Sequence, residues 1–202
     1  MEFIEDIAAL EALYGTPSVA ATRKVARRLT PQYRRWIMAS RLCMLSTIGP
    51  EGTDGSPRGD NGPVVAELDP GTLLMPDWRG NNRLDSLRNI VVDGRASLMF
   101  LVPGSDIVIR VNGAARLTVD PALRERFEKK GQLPKTVIVF SIAEIYAQCA
   151  KALMRAGTWS GRDDSAEVPS LGDILTEMTK GDIDGAAFDQ AWEPRANATL
   201  WS

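Results

Sequence analysis

Between residues 42 and 140 the chain reads as six short strands, most of them joined by turns too short to hold a crossover helix. Strand candidates fall at 42–48, 63–68, 72–75, 96–102, 106–119 and 135–140, where β-branched and aliphatic residues cluster. Gly49-Pro-Glu-Gly52, Asp69-Pro-Gly71 and Pro103-Gly104 punctuate them, and Asn112-Gly113 marks a bend in the longest. The Gly-, Asp- and Ser-rich stretch 53–62 reads as a loop. Parallel neighbours need a connection of about a dozen residues or more. Short turns therefore select an antiparallel sheet that curls toward a barrel, with helices at its flanks: a mainly β, α+β chain.

The flanks are helical. Phe3, Ile4, Ile7, Leu10 and Leu13 recur at helical spacing before Gly15 and Pro17. A second helix is expected over about 19–29, and a third begins at Thr30-Pro31, an N-cap followed by proline at the first helical position. At the other end, residues from about 160 carry a charged segment, a helix starting at Pro169-Ser170 and another over 186–192. The expectation is one domain over 1–202, with a helical N-terminal segment to about 40 and a helical extension from about 160.

Composition removes whole classes of chemistry. The chain has no histidine, which excludes Ser-His-Asp, Cys-His and His-Glu-x-x-His mechanisms. Its two cysteines, Cys43 and Cys149, stand alone in apolar stretches and build no metal site. A net charge of −2 argues against nucleic-acid binding through a broad basic surface, and the basic cluster Arg23, Lys24, Arg27, Arg28 reads as a solvated face. No apolar run approaches the ~20 residues of a membrane span. The start Met-Glu-Phe-Ile-Glu-Asp is acidic where a secretory signal is basic, so a cytoplasmic location is expected. An enzyme so equipped leaves the difficult chemistry to a bound cofactor.

The stretch 72–90 offers a place for one. A strand stopped by Pro76 leads through Gly80 into a helix whose apolar face is Leu84, Leu87 and Val91. Asn81 or Asn82 is its expected cap, with Asp85 reaching back as in a capping box. Free N–H groups, the helix dipole and the guanidinium groups of Arg83 and Arg88 together suit a phosphate. The same features also describe an ordinary loop entering an ordinary helix. Further on, Ile142, Ile145, Cys149 and Leu153 predict an amphipathic helix over 142–156, with Glu144, Gln148, Lys151 and Arg155 on another face.

Taken in order, Ser56-Pro-Arg-Gly-Asp60, Met75-Pro-Asp77 with Gly80-Asn-Asn-Arg-Leu-Asp-Ser-Leu-Arg-Asn-Ile90, and Phe100-Leu-Val-Pro-Gly104 running into Ile109-Arg-Val-Asn-Gly113 resemble the pyridoxamine 5′-phosphate oxidase-like family of FMN-binding split barrels. Cys149-Ala-Lys-Ala-Leu-Met-Arg155 with Trp159 resembles a closing helix in a subset of it. The resemblance implies a homodimer with FMN at the interface. It places Arg58 and Gly59 along the flavin and ribityl chain, and Pro76 and Asp77 at the isoalloxazine edge. Asn82, Arg83, Asp85 and Ser86 fall at the FMN phosphate, and Arg110 and Asn112 line the barrel near the same cofactor. Lys151, Arg155 and Trp159 close the site.

The true vitamin B6 oxidases of that family carry a C-terminal Arg-Leu-x-Pro and a basic pair. This chain ends Pro194-Arg-Ala-Asn-Ala-Thr-Leu-Trp-Ser, so oxidation of pyridoxamine phosphate is not expected. The expected activity is FMN-dependent oxidoreduction of a small molecule, with flavin doing the chemistry and no catalytic side chain assigned. A non-catalytic flavin-binding sensor or carrier, and a deazaflavin-dependent reductase, use the same features.

Overall fold

The computed structural model describes residues 1–201. Seven strands form one sheet: β1 (Leu42–Gly49), β2 (Gly52–Gly59), β3 (Ala66–Asp69), β4 (Thr72–Asp77), β5 (Arg95–Leu101), β6 (Val108–Thr118) and β7 (Thr136–Gln148). Their order is β2-β1-β5-β6-β7-β4-β3 and every pairing is antiparallel. The sheet curls around Leu45, Leu73, Leu98, Phe100, Val111 and Phe140, all buried. Among the described residues no ladder joins its two ends, so the barrel stays open along a seam between β2 on one side and β4 with β3 on the other. The fold is a split barrel.

Helix α3 (Pro31–Ala39) drives the fully buried Ile37 into the core, capped by Thr30 as its sequence predicts. Ahead of it, α1 (Ile7–Tyr14) and α2 (Val19–Arg23) bury nothing. The helix expected over 19–29 stops at Arg23. Ala26 instead exchanges both backbone hydrogen bonds with Ile145, at 2.9 and 2.7 Å, and Leu29 enters the core. Helix α4 (Asp85–Val92) lies between β4 and β5, and α5 (Pro121–Glu125) between β6 and β7.

Three expectations about strands give way for identifiable reasons. Residues 53–59, read as a loop, are the strand β2, paired with β1 from Leu42↔Gly59 to Gly49↔Gly52. Its composition has poor strand propensity, but β1 is a well-patterned neighbour and β2 is an edge, where Pro57 is tolerated. Pro76 does not stop β4; it pairs with Val137. Beyond Leu74 no β3 residue flanks β4, so the missing N–H breaks no ladder on that side.

The predicted helix over 142–156 is strand up to Gln148, and only α6 (Lys151–Ala156) is helical. The cause is a bulge. Gly113 pairs with Ile142 and Asn112 with Glu144, leaving Ala143 as the extra residue. Ile138, Phe140 and Ile142 face the core, then Ile145 and Ala147 do. One added residue turns a period of two into a step of three, which imitates a helix. The bulge also explains Gly113: a Cβ there would stand 2.0 Å from the Ser141 carbonyl oxygen.

After α6, α7 (Leu171–Met178) opens on a Ser170–Asp173 capping box and packs against α8 (Gly185–Thr199). Their backbones touch at Gly172 and Gly185, where a Cβ on either would meet the other's carbonyl oxygen at 2.2 or 2.1 Å.

Candidate functional site

The seam is a cleft of about 940 Å³. One wall is β2, whose alternate residues Asp54, Ser56 and Arg58 face it; the other is the end of β4, the loop 78–84 and α4. Lys135 and Thr136 at the start of β7, and Leu117 on β6, complete it. Five cationic side chains (Arg58, Arg79, Arg83, Arg88, Lys135) and three carboxylates (Asp54, Asp77, Asp85) line it. The cleft is thus locally positive in a chain whose net charge is −2.

Arg58 crosses the seam. Its Nη1 donates to Asp77 Oδ1, with side-chain exposures of 18% and 14%. Its Nε is buried without a partner, as are the indole N–H of Trp78 and the hydroxyl of Thr136 on the same walls. Buried groups of this kind are normally paired, and leaving one unmade costs about 1–3 kcal/mol. All three lie on the walls of one cleft, with no partner from the chain. Beneath Arg58 on β1, burial pushes the Cys43 thiol up to about 12, against the pull of that guanidinium, so it is an inert packing residue.

The start of α4 differs from its expected form. Asn82 and Leu84 take left-handed φ of 62° and 64°, and Leu84, with no side-chain hydrogen bond to give, stands at the cap position. Asn81 Oδ1 accepts from the Arg83 N–H at 3.1 Å, an Asx turn ahead of the helix. Asp85 accepts from Arg83 Nε at 2.8 Å instead of closing a capping box. Ser86, buried, donates to Asp54 across the cleft. The first-turn amides of α4 keep no side-chain cap, and the side chains of Arg79, Arg88 and Lys135 have no ion-pair or hydrogen-bond partner among the described residues. The buried residues of α4 are Ser86 and Ile90, while Leu84 and Val91, expected inside, are 46% and 71% exposed on the cleft.

Of the residues singled out in the sequence, Arg58, Gly59, Pro76, Asp77, Asn82, Arg83, Asp85 and Ser86 converge on this cleft. Arg110, Asn112, Lys151, Arg155 and Trp159 do not line it. Arg110 lies 5.4 Å from the centroid of the Tyr146 ring and donates to Gln148 at 3.3 Å. Asn112 donates to Glu144 at 2.7 Å. Trp159 donates to the Ser105 carbonyl at 2.9 Å, which ties the segment after α6 to the β5–β6 turn. Lys151 and Arg155 are exposed on α6. Glu144 and Gln148, expected on a wet helical stripe, accept side-chain hydrogen bonds across the β6–β7 ladder from Asn112 and Arg110.

The sequence reading passed over Asp54, Trp78, Arg79, Lys135 and Thr136 at the cleft. A signal existed for Asp54: with Ser56 and Arg58 it makes a two-residue alternation of polar side chains, the mark of a strand face. Trp78 and Thr136 reach the cleft only through β4–β7 pairing, at Asp77↔Thr136, which no local pattern reveals.

An open antiparallel barrel with a cationic cleft along its seam defines a split-barrel domain. The chain belongs to the pyridoxamine 5′-phosphate oxidase family, whose model matches residues 29–149, more than half its length. No curated protein matches it. Among solved structures, it is similar to HupZ of Group A Streptococcus (17% identity, TM-score 0.49, over 59% of this chain and 93% of that one). It is also similar to an FMN-binding protein from Syntrophomonas wolfei subsp. wolfei (17%, 0.41, 57% and 88%) and to an F420 reductase (17%, 0.44, 58% and 98%). Among the described residues no helix is long and apolar enough to cross a membrane, and no group of side chains has the make-up of a metal site.

Proposed function

We propose that the chain binds FMN in the seam cleft and acts as a flavin-dependent oxidoreductase on a small molecule. The observation that carries this reading is the cation excess of the cleft beside an uncapped helix start. A phosphomonoester carries about −1.5 to −2 charges at neutral pH. Arg83, Arg88 and the first amides of α4 are the groups that hold it, by guanidinium and N–H donation. Arg58, Gly59, Pro76 and Asp77 flank the ring and its side chain, and Arg58 Nε and the Trp78 N–H gain an acceptor when the cleft fills. When bound, the flavin supplies hydride and electron transfer. The protein's residues orient the ring, exclude water and tune it with donors.

The five residues off the cleft enter this reading through a second copy of the chain. Arg110, Asn112, Lys151, Arg155 and Trp159 of one protomer face the cofactor of its partner in a homodimer. Light scattering of the purified protein, expected at twice 22.0 kDa, tests that part.

The functional test is direct. The purified protein is denatured, its cofactor extracted and weighed, and the intact protein assayed with NAD(P)H and a panel of acceptors. FMN in the extract with turnover supports the reading. A deazaflavin in the extract replaces the cofactor, lasting inertness of bound flavin makes the protein a carrier, and a colourless protein that takes up no FMN contradicts the reading altogether.

A further inference from the structure

The seam is crossed a second time, at Trp201. Trp201 packs edge-on against Trp78, with ring centroids 5.5 Å apart at 81°. Trp78 follows the last residue of β4 and lines the cleft. The Trp201 ring also receives the Lys129 ammonium, 4.1 Å from its centroid. That ammonium is held by Asp60, whose side chain is 5% exposed, and by Asn61 Oδ1 at 2.9 Å. Asp60 and Asn61 directly follow β2. Trp201 therefore stands between the residue that leaves β4 and the residues that leave β2, just beyond the Arg58–Asp77 bridge.

Each side has its own support. Lys129 is presented by a tight turn in which Lys130 and Gly131 take φ of 52° and 75°, closed by two 2.9 Å hydrogen bonds between Lys129 and Gln132. Trp201 follows α8, which is locked to α7 at Gly172 and Gly185. The bulk of the C-terminal hairpin faces water: Leu171, Ile174, Met178 and Trp192 are all exposed. It reaches a cleft-lining side chain through Trp201 on Trp78.

We propose that Trp201 is a ligand-positioning residue that acts through Trp78, bridging the segments that leave β4 and β2 beside the seam cleft. Filling the cleft and docking the C-terminal hairpin then stabilise each other, because each holds Trp78 in place. Trp78 is the joint: its ring is the partner of Trp201, and its buried N–H, unpaired in the free chain, is on the cleft wall. The identity of the ligand rests on the FMN reading; the bridge itself does not.

The test uses the full chain in four further forms: Trp201→Ala, Trp201→Leu, Trp201→Phe, and Trp192→Ala as a control on α8. Without ligand, amide exchange at 58–62, 78–81 and 171–199 is expected to quicken in Trp201→Ala and Trp201→Leu, and to stay as in the parent in Trp201→Phe and Trp192→Ala. Trp201→Leu keeps apolar bulk, so it separates loss of the ring from general loosening. In stopped-flow displacement, FMN is expected to leave Trp201→Leu about tenfold faster than the parent, the scale of one lost aromatic and cation–π pairing. Unchanged exchange at both rims in Trp201→Ala and Trp201→Leu overturns the bridge, and equal FMN release overturns its role in holding ligand. If the parent itself takes up no FMN, the cofactor reading fails, while the exchange result still decides the bridge.

Discussion

The guanidinium of Arg58 on β2 donates to the carboxylate of Asp77 on β4, joining two strands that share no ladder. The pair is mostly buried, and Arg58 Nε already lacks a partner. Removing the carboxylate leaves a buried charge with nothing to answer it, which is strongly unfavourable. Asp77→Ala is expected to lower stability by about 2–4 kcal/mol in urea unfolding, and Asp77→Asn, which still offers an acceptor, by clearly less.

Gly113 sets the bulge that gives β7 its register. With Cβ placed 2.0 Å from the Ser141 carbonyl oxygen, Gly113→Ala forces the β6–β7 ladder apart. A loss of about 1–3 kcal/mol is expected, read from the shift of the unfolding midpoint, as for other overpacked sites.

The two thiols differ in access. Cys43 is fully buried with its thiol pushed up to about 12 by desolvation, while Cys149 is exposed after β7. Ellman's reagent is expected to titrate one thiol per native chain and two after denaturation. Fast reaction of both in the native protein would place Cys43 outside the core.

One carboxylate reports on pH. Hydrogen bonds from the Arg95 side chain, then its backbone N–H, hold Asp93 at about 2 against an ordinary 3.8. A lowered folded-state value means that its contribution is present above about pH 4 and is lost as pH falls toward 2. NMR titration of the Asp93 carboxyl should show the low midpoint, and Arg95→Ala should return it toward 3.8.

The barrel was legible because its turns are short and its strands β-branched. The seam was not. β2 lacks strand formers and exists because β1 templates it, while Pro76 reads as a stop until the bare flank of β4 is known. The helical stripe of Ile142, Ile145 and Cys149 was a strand alternation broken by Ala143, a change that only the partner strand reveals. At the site, the motif residues on β2, β4 and α4 line one cleft. Trp78, Lys135 and Thr136 join them through pairing between distant segments, beyond the reach of local spacing.

At the start of α4, Asp85 occupies Arg83 and places a negative charge where a phosphate is proposed to sit. Asp85→Asn is therefore expected to tighten FMN binding, and Arg83→Ala to weaken it by about 1.5–3 kcal/mol, the worth of a charged hydrogen bond. Isothermal titration at low salt measures both.

The central claim is that an anionic cofactor sits in the seam cleft. It is tested most directly by equilibrium fluorescence titration of FMN into the cofactor-stripped protein, with Arg83→Ala alongside. The account predicts saturable quenching at one FMN per chain, weakened in Arg83→Ala and by added salt. Absence of saturable binding to the parent protein, or equal affinity in the two, would contradict it.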